Sequence, residues 1–120
     1  DDATVPEAVL AADIDGLVVE GLGAGHVPPA WIGPLTAGAR AIPVVLASRT
    51  GCGEMLQQTY GYPGGEVDLL GGGLLWSGAL GARRARILLT LGLAAGWSRE
   101  RIRAALAEDS EEARHGRTGA

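Results

Sequence analysis

The chain contains 120 residues, of which 47% are hydrophobic and 20% charged, and its formal net charge is -4 at pH 7. This length and composition predict one small domain with a single core, and they exclude the polar, highly charged composition of a disordered protein. The acidic excess excludes the positive surface that a nucleic acid or an anionic membrane needs, and no apolar run approaches the roughly 20 residues of a membrane span.

The first half of the chain predicts alternating helices and strands. Pro6 to Ala12 predicts a short helix with Thr4 as its N-cap. Leu17 to Val19 is an apolar run between two glycines, typical of a strand buried on both faces of a parallel sheet. A helix is predicted from Pro29 to Ala41, and a second strand from Ile42 to Ala47. This order indicates an α/β fold with a small, open, mostly parallel sheet and flanking helices.

The second half predicts one long loop and two helices. Ser48 to Gly73 is rich in glycine, and a structureless stretch of this length is uncommon unless it has a function. An amphipathic helix is predicted from Leu80 to Leu93, ahead of a C-cap at Gly96, with an apolar stripe formed by Leu80, Ile87, Leu88, Leu91 and Leu93. Ser98 is the predicted cap of a last helix that ends near Ala107. The sequence therefore predicts a domain over residues 1–107 and a disordered tail over residues 108–120.

A glycine-rich turn follows the first predicted strand and ends at His26. Gly21, Gly23 and Gly25 would let the backbone turn sharply and approach a ligand closely. The third glycine of a dinucleotide-binding fingerprint is missing, which leaves a turn that shapes another ligand site or a turn of purely structural use. His26 lies beyond the carboxyl end of the strand, where open α/β sheets bind ligands. It could act as a base or a donor, or it could be a loop histidine satisfied by backbone or water.

Further polar and aromatic residues lie in or beside the long loop. Arg49, between Ser48 and Thr50, could contact an anion or form a structural salt bridge. Glu66 and Asp68 form an acidic pair that could bind an ammonium group or a metal, although surface solvation also explains such a pair.

The same loop also contains two tyrosines, Tyr60 and Tyr62, ahead of the acidic pair. These two tyrosines flank a glycine and precede a proline and two more glycines. They indicate either a rigid turn packed by aromatic rings or a substrate lid.

Two residue types limit the chemistry available within this chain. The sequence has no lysine, which excludes a lysine base, a Schiff-base lysine and a P-loop lysine. Cys52 is the only cysteine, so no internal disulfide and no multi-cysteine zinc site can form. A nucleophile–base pair of Cys52 and His26 would require the fold to bring them together. No cofactor and no metal is predicted.

Three blocks of the sequence resemble one known family. Asp15 to Pro28, D-G-L-V-V-E-G-L-G-A-G-H-V-P, resembles the D-G-[IV]-V-hydrophobic-x-G-x-G-x-G-[NH] strand and turn of L-asparaginase C-terminal domains. Pro43 to Arg49 is similar to the family's V-V-x-[SA]-S-R strand, and Leu80 to Leu89 is similar to its L-x-x-x-K-A-R-hydrophobic-L-L helix. The resemblance covers Asp1 to Leu106 and implies the C-terminal part of a bacterial-type L-asparaginase.

The resemblance implies a flavodoxin-like domain and an active site that is shared between two domains. The family's domain begins with a strand that would precede Asp1 and that commonly lies between the next two strands, so its absence would leave a gap. The family's threonine nucleophile, aspartate and lysine belong to the N-terminal domain, so the chain alone is catalytically incomplete. The site lies between that domain and the C-terminal domain of a neighbouring subunit, usually in a dimer of dimers. The implied partners are L-asparagine or L-glutamine, an N-terminal asparaginase domain and further subunits.

Two residues of this chain are implied to bind substrate, and none is implied to be catalytic. His26 matches a position that is asparagine in many members, where it supports the substrate-binding constellation. Glu66, in Glu66-Val67-Asp68, matches an E-V-D element whose glutamate faces the substrate ammonium. Ala24 replaces another frequent asparagine, and the loop over residues 51–65 is longer than in many members. Both departures bear on the choice between asparagine and glutamine.

Two other classes of function stay open at this stage. The first is a non-catalytic α/β binding or regulatory module that kept the fold after losing the chemistry. The second is an independent nucleotide-binding domain, which would need affinity for a nucleotide. An upstream reading frame that encodes a T-G-G-T-type nucleophile turn would favour the enzyme.

Overall fold

The computed structural model describes residues 2–22, 26–48 and 66–119, with side chains described except at residues 66–68 and 116–119. The chain folds into short helices around a small sheet. In chain order the elements are α1 (Thr4–Ala11), β1 (Leu17–Gly21), a 3-10 turn (Pro29–Trp31), α2 (Ile32–Ala39), β2 (Val44–Ser48), α3 (Glu66–Gly71), β3 (Leu75–Trp76), α4 (Ala82–Ala94) and α5 (Arg99–Gly119).

The three described strands form one parallel sheet in the order β1-β2-β3. β1 pairs with β2 at five positions, from Leu17 opposite Val44 to Gly21 opposite Ser48. β2 then pairs with β3 at Val45 and Leu46. The predicted open parallel sheet is confirmed. The expected gap between the first two strands is wrong, because these strands share a continuous ladder.

Helices cover both faces of the sheet, and each face has its own apolar cluster. The first cluster underlies α2 and α3 and contains the fully buried residues Leu35, Val44, Leu46 and Leu69. The second underlies α4 and α5 and contains Val45, Leu75, Leu89, Ile102 and Leu106. Successive side chains of a strand point to opposite faces, so β2 contributes alternately to the two clusters. All five residues of β2 are therefore buried.

The N-terminal helix begins two residues earlier than predicted. Thr4 is its first residue rather than its cap, and the carboxylate of Asp2 accepts the Thr4 N–H at 3.1 Å. This hydrogen bond to the ionised form lowers the pKa of the Asp2 carboxyl from its ordinary value. The indole N–H of Trp31 donates to the Asp2 carbonyl at 3.0 Å, so the start of α1 is tied to the turn that precedes α2.

Part of the predicted long loop is ordered structure. Residues 66–71 form α3, and the short strand β3 follows after a turn in which Gly73 has a φ of 103°. β3 was not predicted from the sequence, because two residues are too few for an alternating pattern to appear. The prediction of one loop from Ser48 to Gly73 is therefore wrong over its last third.

The predicted apolar stripe of α4 is only partly correct, because Leu80, Leu88 and Leu93 pack in or against the second cluster while Ile87 and Leu91 do not. Ala85, Leu89 and Gly92 are buried, whereas Ile87 is 55% exposed and Leu91 is 65% exposed. The buried residues recur at helical spacing and form the inward side of α4. Two of them, Ala85 and Gly92, are small, so the helix packs closely against its neighbours. A Cβ on Gly92 would lie 2.8 Å from the ring of Trp97, which explains why this position has no side chain.

The last helix begins as predicted and continues well beyond its predicted end. Ser98 Oγ accepts the Arg101 N–H at 3.1 Å, and Gly96 follows α4 with a φ of 78°, so both predicted caps are confirmed. Instead of ending near Ala107, α5 runs to Gly119. The prediction of a disordered tail after residue 107 is wrong as far as Gly119, because α5 continues to that residue. Ser110 is buried against the turn before α4 and holds this part of α5 to the domain.

No helix within the described ranges combines the length and apolarity that a membrane crossing requires.

Candidate functional site

The carboxyl ends of the parallel strands define the edge at which a ligand is expected. The pairing of Gly21 with Ser48 places the ends of β1 and β2 side by side. Open α/β sheets bind ligands in the crevice outside these ends. Ser48 is only 1% exposed, so it belongs to the floor beneath this edge rather than to an open surface.

His26 ends a tight turn at this edge. The His26 N–H donates to the Leu22 carbonyl and the Leu22 N–H donates to the His26 carbonyl, both at 2.9 Å. The turn residues 23–25 lie outside the described ranges. Val27, which follows, is 8% exposed and belongs to the first apolar cluster. Backbone pairing on one side and an apolar anchor on the other therefore fix the half-buried His26 beyond the end of β1.

Glu66 is the first residue of α3, and its side chain is outside the described set. Leu69, one helical turn later, is fully buried in the first cluster and anchors the helix. α3 leads through a short turn to the amino end of β3.

The two candidate segments share one anchor. Val27 and Leu69 lie in the same buried cluster, together with Leu35 and Leu46. The segments that carry His26 and Glu66 are thus fastened to a common core on one face of the sheet. Contact between these two side chains stays a prediction, because only the backbone of Glu66 is described.

Several other sequence candidates fall outside the described residues. These are Arg49, Thr50, Cys52, Tyr60 and Tyr62. The anion contact at Arg49, the lid at the tyrosines and the pairing of Cys52 with His26 accordingly stay predictions.

Ser77 is a buried polar residue that was not among the candidates predicted from the sequence. It follows β3, and its N–H donates to the Leu46 carbonyl at 3.0 Å. Its hydroxyl donates to the Leu80 carbonyl at 2.9 Å, and the residue is fully buried. Ser77 therefore closes the turn before α4 and does not face a ligand. In the sequence, the only indication of this role is the position of Ser77 between the apolar pair of β3 and a glycine.

The three arginines at the start of α5 each have a partner within the domain. The Arg101 guanidinium lies over the Trp97 ring at 4.2 Å from its centroid. Arg103 pairs with Glu100 at 3.3 Å, and Arg99 donates to the Ile42 carbonyl at 3.3 Å. Each guanidinium is thus committed to a local partner.

The described part of the chain contains no preformed cluster of metal-binding side chains. No group of three or more His, Cys, Asp or Glu side chains is arranged there to hold an ion.

Comparison with known proteins places the chain in a family. Residues 1–106 match the sequence model of the Glutaminase/Asparaginase C-terminal domain. A curated relative, named a probable L-asparaginase of Deinococcus radiodurans, is 47% identical over 89 residues, which are 74% of this chain and 27% of the relative.

Two solved structures are also similar to this chain. The thermostable L-asparaginase from Thermococcus kodakarensis has a TM-score of 0.67 and 26% identity, and L-asparaginase I from Vibrio cholerae has a TM-score of 0.69 and 21% identity. Each match covers 88% of this chain and 32% of the solved chain, and the second supports the fold alone. The chain spans less than a third of the length of the relatives it matches, and it belongs to the glutaminase/asparaginase C-terminal domain family.

Proposed function

We propose that this chain is the C-terminal part of an L-asparaginase, which hydrolyses L-asparagine to L-aspartate and ammonia. In this proposal the chain binds substrate across a subunit interface, and an N-terminal domain supplies the nucleophile. The observation that supports the proposal is the common anchoring of the segments that carry His26 and Glu66 in one apolar cluster, in a chain of this family.

The proposed role of Glu66 is to bind the α-ammonium group of the substrate. A carboxylate opposite an ammonium in a site closed from water makes a charge-assisted contact, which is among the stronger polar contacts in proteins. The backbone of Glu66 starts a helix whose next turn is anchored by the fully buried Leu69. A backbone position anchored in this way reduces the reordering that substrate binding requires.

The proposed role of His26 is to support the same substrate contacts from the neighbouring turn. Its backbone is fixed by two hydrogen bonds to Leu22, so the imidazole projects from a rigid base. A neutral donor contributes less to binding than an ionised carboxylate does. His26 is therefore the secondary contact of the two.

The isolated chain is proposed to be inactive. Its inventory offers no lysine, and the nucleophile of the implied reaction belongs to the other domain. Purified chain should release no ammonia from asparagine or glutamine above background. Release that survives alanine substitution at both Cys52 and Thr50 would reveal a nucleophile that this proposal does not contain.

The decisive test is Glu66→Gln in the protein that joins this chain to its N-terminal domain. Loss of one partner from a buried charge-assisted contact typically costs about 2 to 5 kcal/mol, so kcat/KM for asparagine should fall by roughly a power of ten or more. His26→Ala should lower it less. The unfolding temperature and the oligomeric state should match the parent, because glutamine keeps the shape of glutamate.

Asp68→Asn is the matched control, since it removes one carboxylate from the same helix. We expect its kcat/KM to stay within about twofold of the parent. A normal Glu66→Gln enzyme together with an inactive Asp68→Asn enzyme would move the ammonium contact to Asp68. A complete parent protein with no amidohydrolase activity would instead favour the non-catalytic binding module.

A further inference from the structure

A groove lies beside β3, between the end of α3 and the second half of α5. Its volume is about 460 Å³, which is within the usual range of ligand pockets in proteins. One wall is apolar and is formed by Leu70, Leu74 and Trp76. The other wall is the side of α5 that carries Arg103, Ala107, Glu111 and Arg114. We call this surface the α3–α5 groove.

Most of the α5 wall lies beyond the part of the chain that matches the family. The match ends at residue 106, whereas Ala107, Glu111 and Arg114 follow it. The buried hydrogen bond from the Ala79 N–H to Ser110 Oγ holds this stretch of α5 against the turn that follows β3. The groove therefore depends on a stretch of α5 that lies outside the family match.

The two arginines lie at opposite ends of the groove. Arg99, at the start of α5, donates to the carbonyl of Ile42 just before β2, whereas Ser110 contacts the turn after β3. α5 consequently runs alongside the strands, from their amino ends toward their carboxyl ends. Arg103 and Arg114 are three helical turns apart on it, which separates them by roughly 16 Å along the helix axis.

These two ends differ in charge. Arg114 forms an ion pair with Glu111 at 3.1 Å, and both residues line the groove, so this end carries a cation and a carboxylate together. Arg103 pairs with Glu100 at 3.3 Å, but Glu100 is not among the described residues that line the groove. The lining at the Arg103 end thus contains a guanidinium without a carboxylate beside it, in a chain whose net charge is -4.

The ion pair of Arg103 can be exchanged at little cost. The Arg103 and Glu100 side chains are 55% and 74% exposed, and an exposed ion pair typically contributes about 0 to 1 kcal/mol. A guanidinium can bind a carboxylate through two parallel hydrogen bonds. A ligand carboxylate can therefore take the place of Glu100 at Arg103.

We propose that the α3–α5 groove binds a small organic carboxylate with an apolar body. The carboxylate pairs with Arg103, and the apolar body lies over Ala107 against the opposite wall of the groove. The aromatic ring and the two leucines of that wall supply the hydrophobic part of the affinity. The matched pair at the other end adds no attraction for a second anionic group, so the ligand carries one carboxylate.

An NMR titration of the 120-residue chain with benzoate tests the site, because benzoate joins one carboxylate to one ring. We expect saturable shifts of the Trp76 indole N–H resonance, which is identified by its loss in Trp76→Phe. Benzamide keeps the ring but has no charge, so its Kd should be at least about tenfold higher. Acetate keeps the charge but has no ring, and its Kd should rise by about tenfold or more as well.

Two pairs of variants separate the parts of the site. Arg103→Gln should raise the benzoate Kd about tenfold, whereas Arg114→Gln should leave it within about threefold, because Arg114 is matched by Glu111. Ala107→Phe should fill the groove and raise the Kd at least about 30-fold. Ala104→Phe is its matched control, since Ala104 is exposed on the same helix and does not line the groove, and its Kd should stay within about twofold.

Three results would overturn the proposal. The first is an absence of saturable benzoate binding up to about 10 mM, and the second is an equal affinity for benzoate and benzamide. The third is a benzoate Kd that is indifferent to Ala107→Phe, or that responds more to Arg114→Gln than to Arg103→Gln. Far-UV circular dichroism of each variant separates loss of binding from loss of folding, and the comparison of ligands needs no variant. None of these measurements depends on asparagine hydrolysis, so the proposal and the proposed function fail separately.

Discussion

The two faces of the sheet rest on equally well-buried cores, but they differ in what lies above those cores. On the α2–α3 face the core ends in Val27 and Leu69, and the segments beyond these anchors carry His26 and Glu66. On the α4–α5 face the core is closed by Ile102 and Leu106, and the outer side of the helices exposes an apolar groove. The same strand, β2, supplies buried side chains to both.

This difference separates two demands on a small domain. A ligand site needs segments that are fixed in place yet project beyond the sheet edge, and single apolar anchors meet that need. A closed core instead needs helices that cover it, and the capped pair of α4 and α5 provides this cover. A substitution in the core of one face therefore removes no direct contact from the core of the other face.

The largest expected effect comes from emptying each core separately. Leu35 and Leu106 are both fully buried, one on each face. Leu35→Ala and Leu106→Ala should each lower the free energy of unfolding by about 2 to 5 kcal/mol, measured by urea denaturation. Because the two side chains share no cluster, the double variant should equal the sum to within about 0.5 kcal/mol. A deviation of about 1 kcal/mol or more would show that the faces are not independent.

A smaller effect should follow from loosening the attachment of α5 on its own face. Ser110 Oγ accepts the Ala79 N–H at 2.7 Å in a buried setting. Ser110→Ala should destabilise the chain by about 1 to 3 kcal/mol, because a buried donor loses an acceptor. Thr90→Ala is the control, since the exposed Thr90 hydroxyl bonds only within α4. Equal urea midpoints for Ser110→Ala and the parent would mean that this hydrogen bond of α5 does not contribute to the stability of the chain.

The smallest expected effect concerns the start of α1, on the α2–α3 side. The hydrogen bond from Thr4 lowers the pKa of the exposed Asp2 carboxyl. A carboxyl with a lowered folded pKa stabilises the native state above its unfolded pKa, and that contribution disappears as the pH falls through the folded value. NMR titration should show the Thr4 amide shift following the Asp2 carboxyl, below the ordinary aspartate pKa. An Asp2 titration at the ordinary aspartate pKa would contradict a contribution of this hydrogen bond to stability.

The sequence predicted the parallel sheet well because its strong signals were local. Leu17 to Val19 and Val44 to Ala47 are apolar runs whose burial on both faces was expected, and the structure places them in adjacent strands. The caps at Ser98 and Gly96 were likewise predicted, because hydroxyl and glycine chemistry at helix ends acts over a few residues.

What the sequence did not predict depended on contacts between distant segments. Apolar residues lie on more than one side of α4, so periodicity alone did not reveal that Leu89 packs inward while Leu91 faces outward. The polar stretch after Ala107 resembles a tail by composition, yet Ser110 is buried against Ala79. For the candidate site, the sequence indicated His26 and Glu66, and their common anchor at Val27 and Leu69 became visible only in the fold.

The strand pairing has a kinetic consequence. Leu17 pairs with Val44, and Val45 pairs with Leu75, so each rung of the sheet closes a loop of about 27 to 30 residues. Contacts within α4 and α5 close much shorter loops, and local contacts form faster than distant ones. The helical hairpin can therefore form early, whereas β2 must wait for segments on both sides of it to return. The pace of folding is therefore set by β2, which pairs with both of the other described strands.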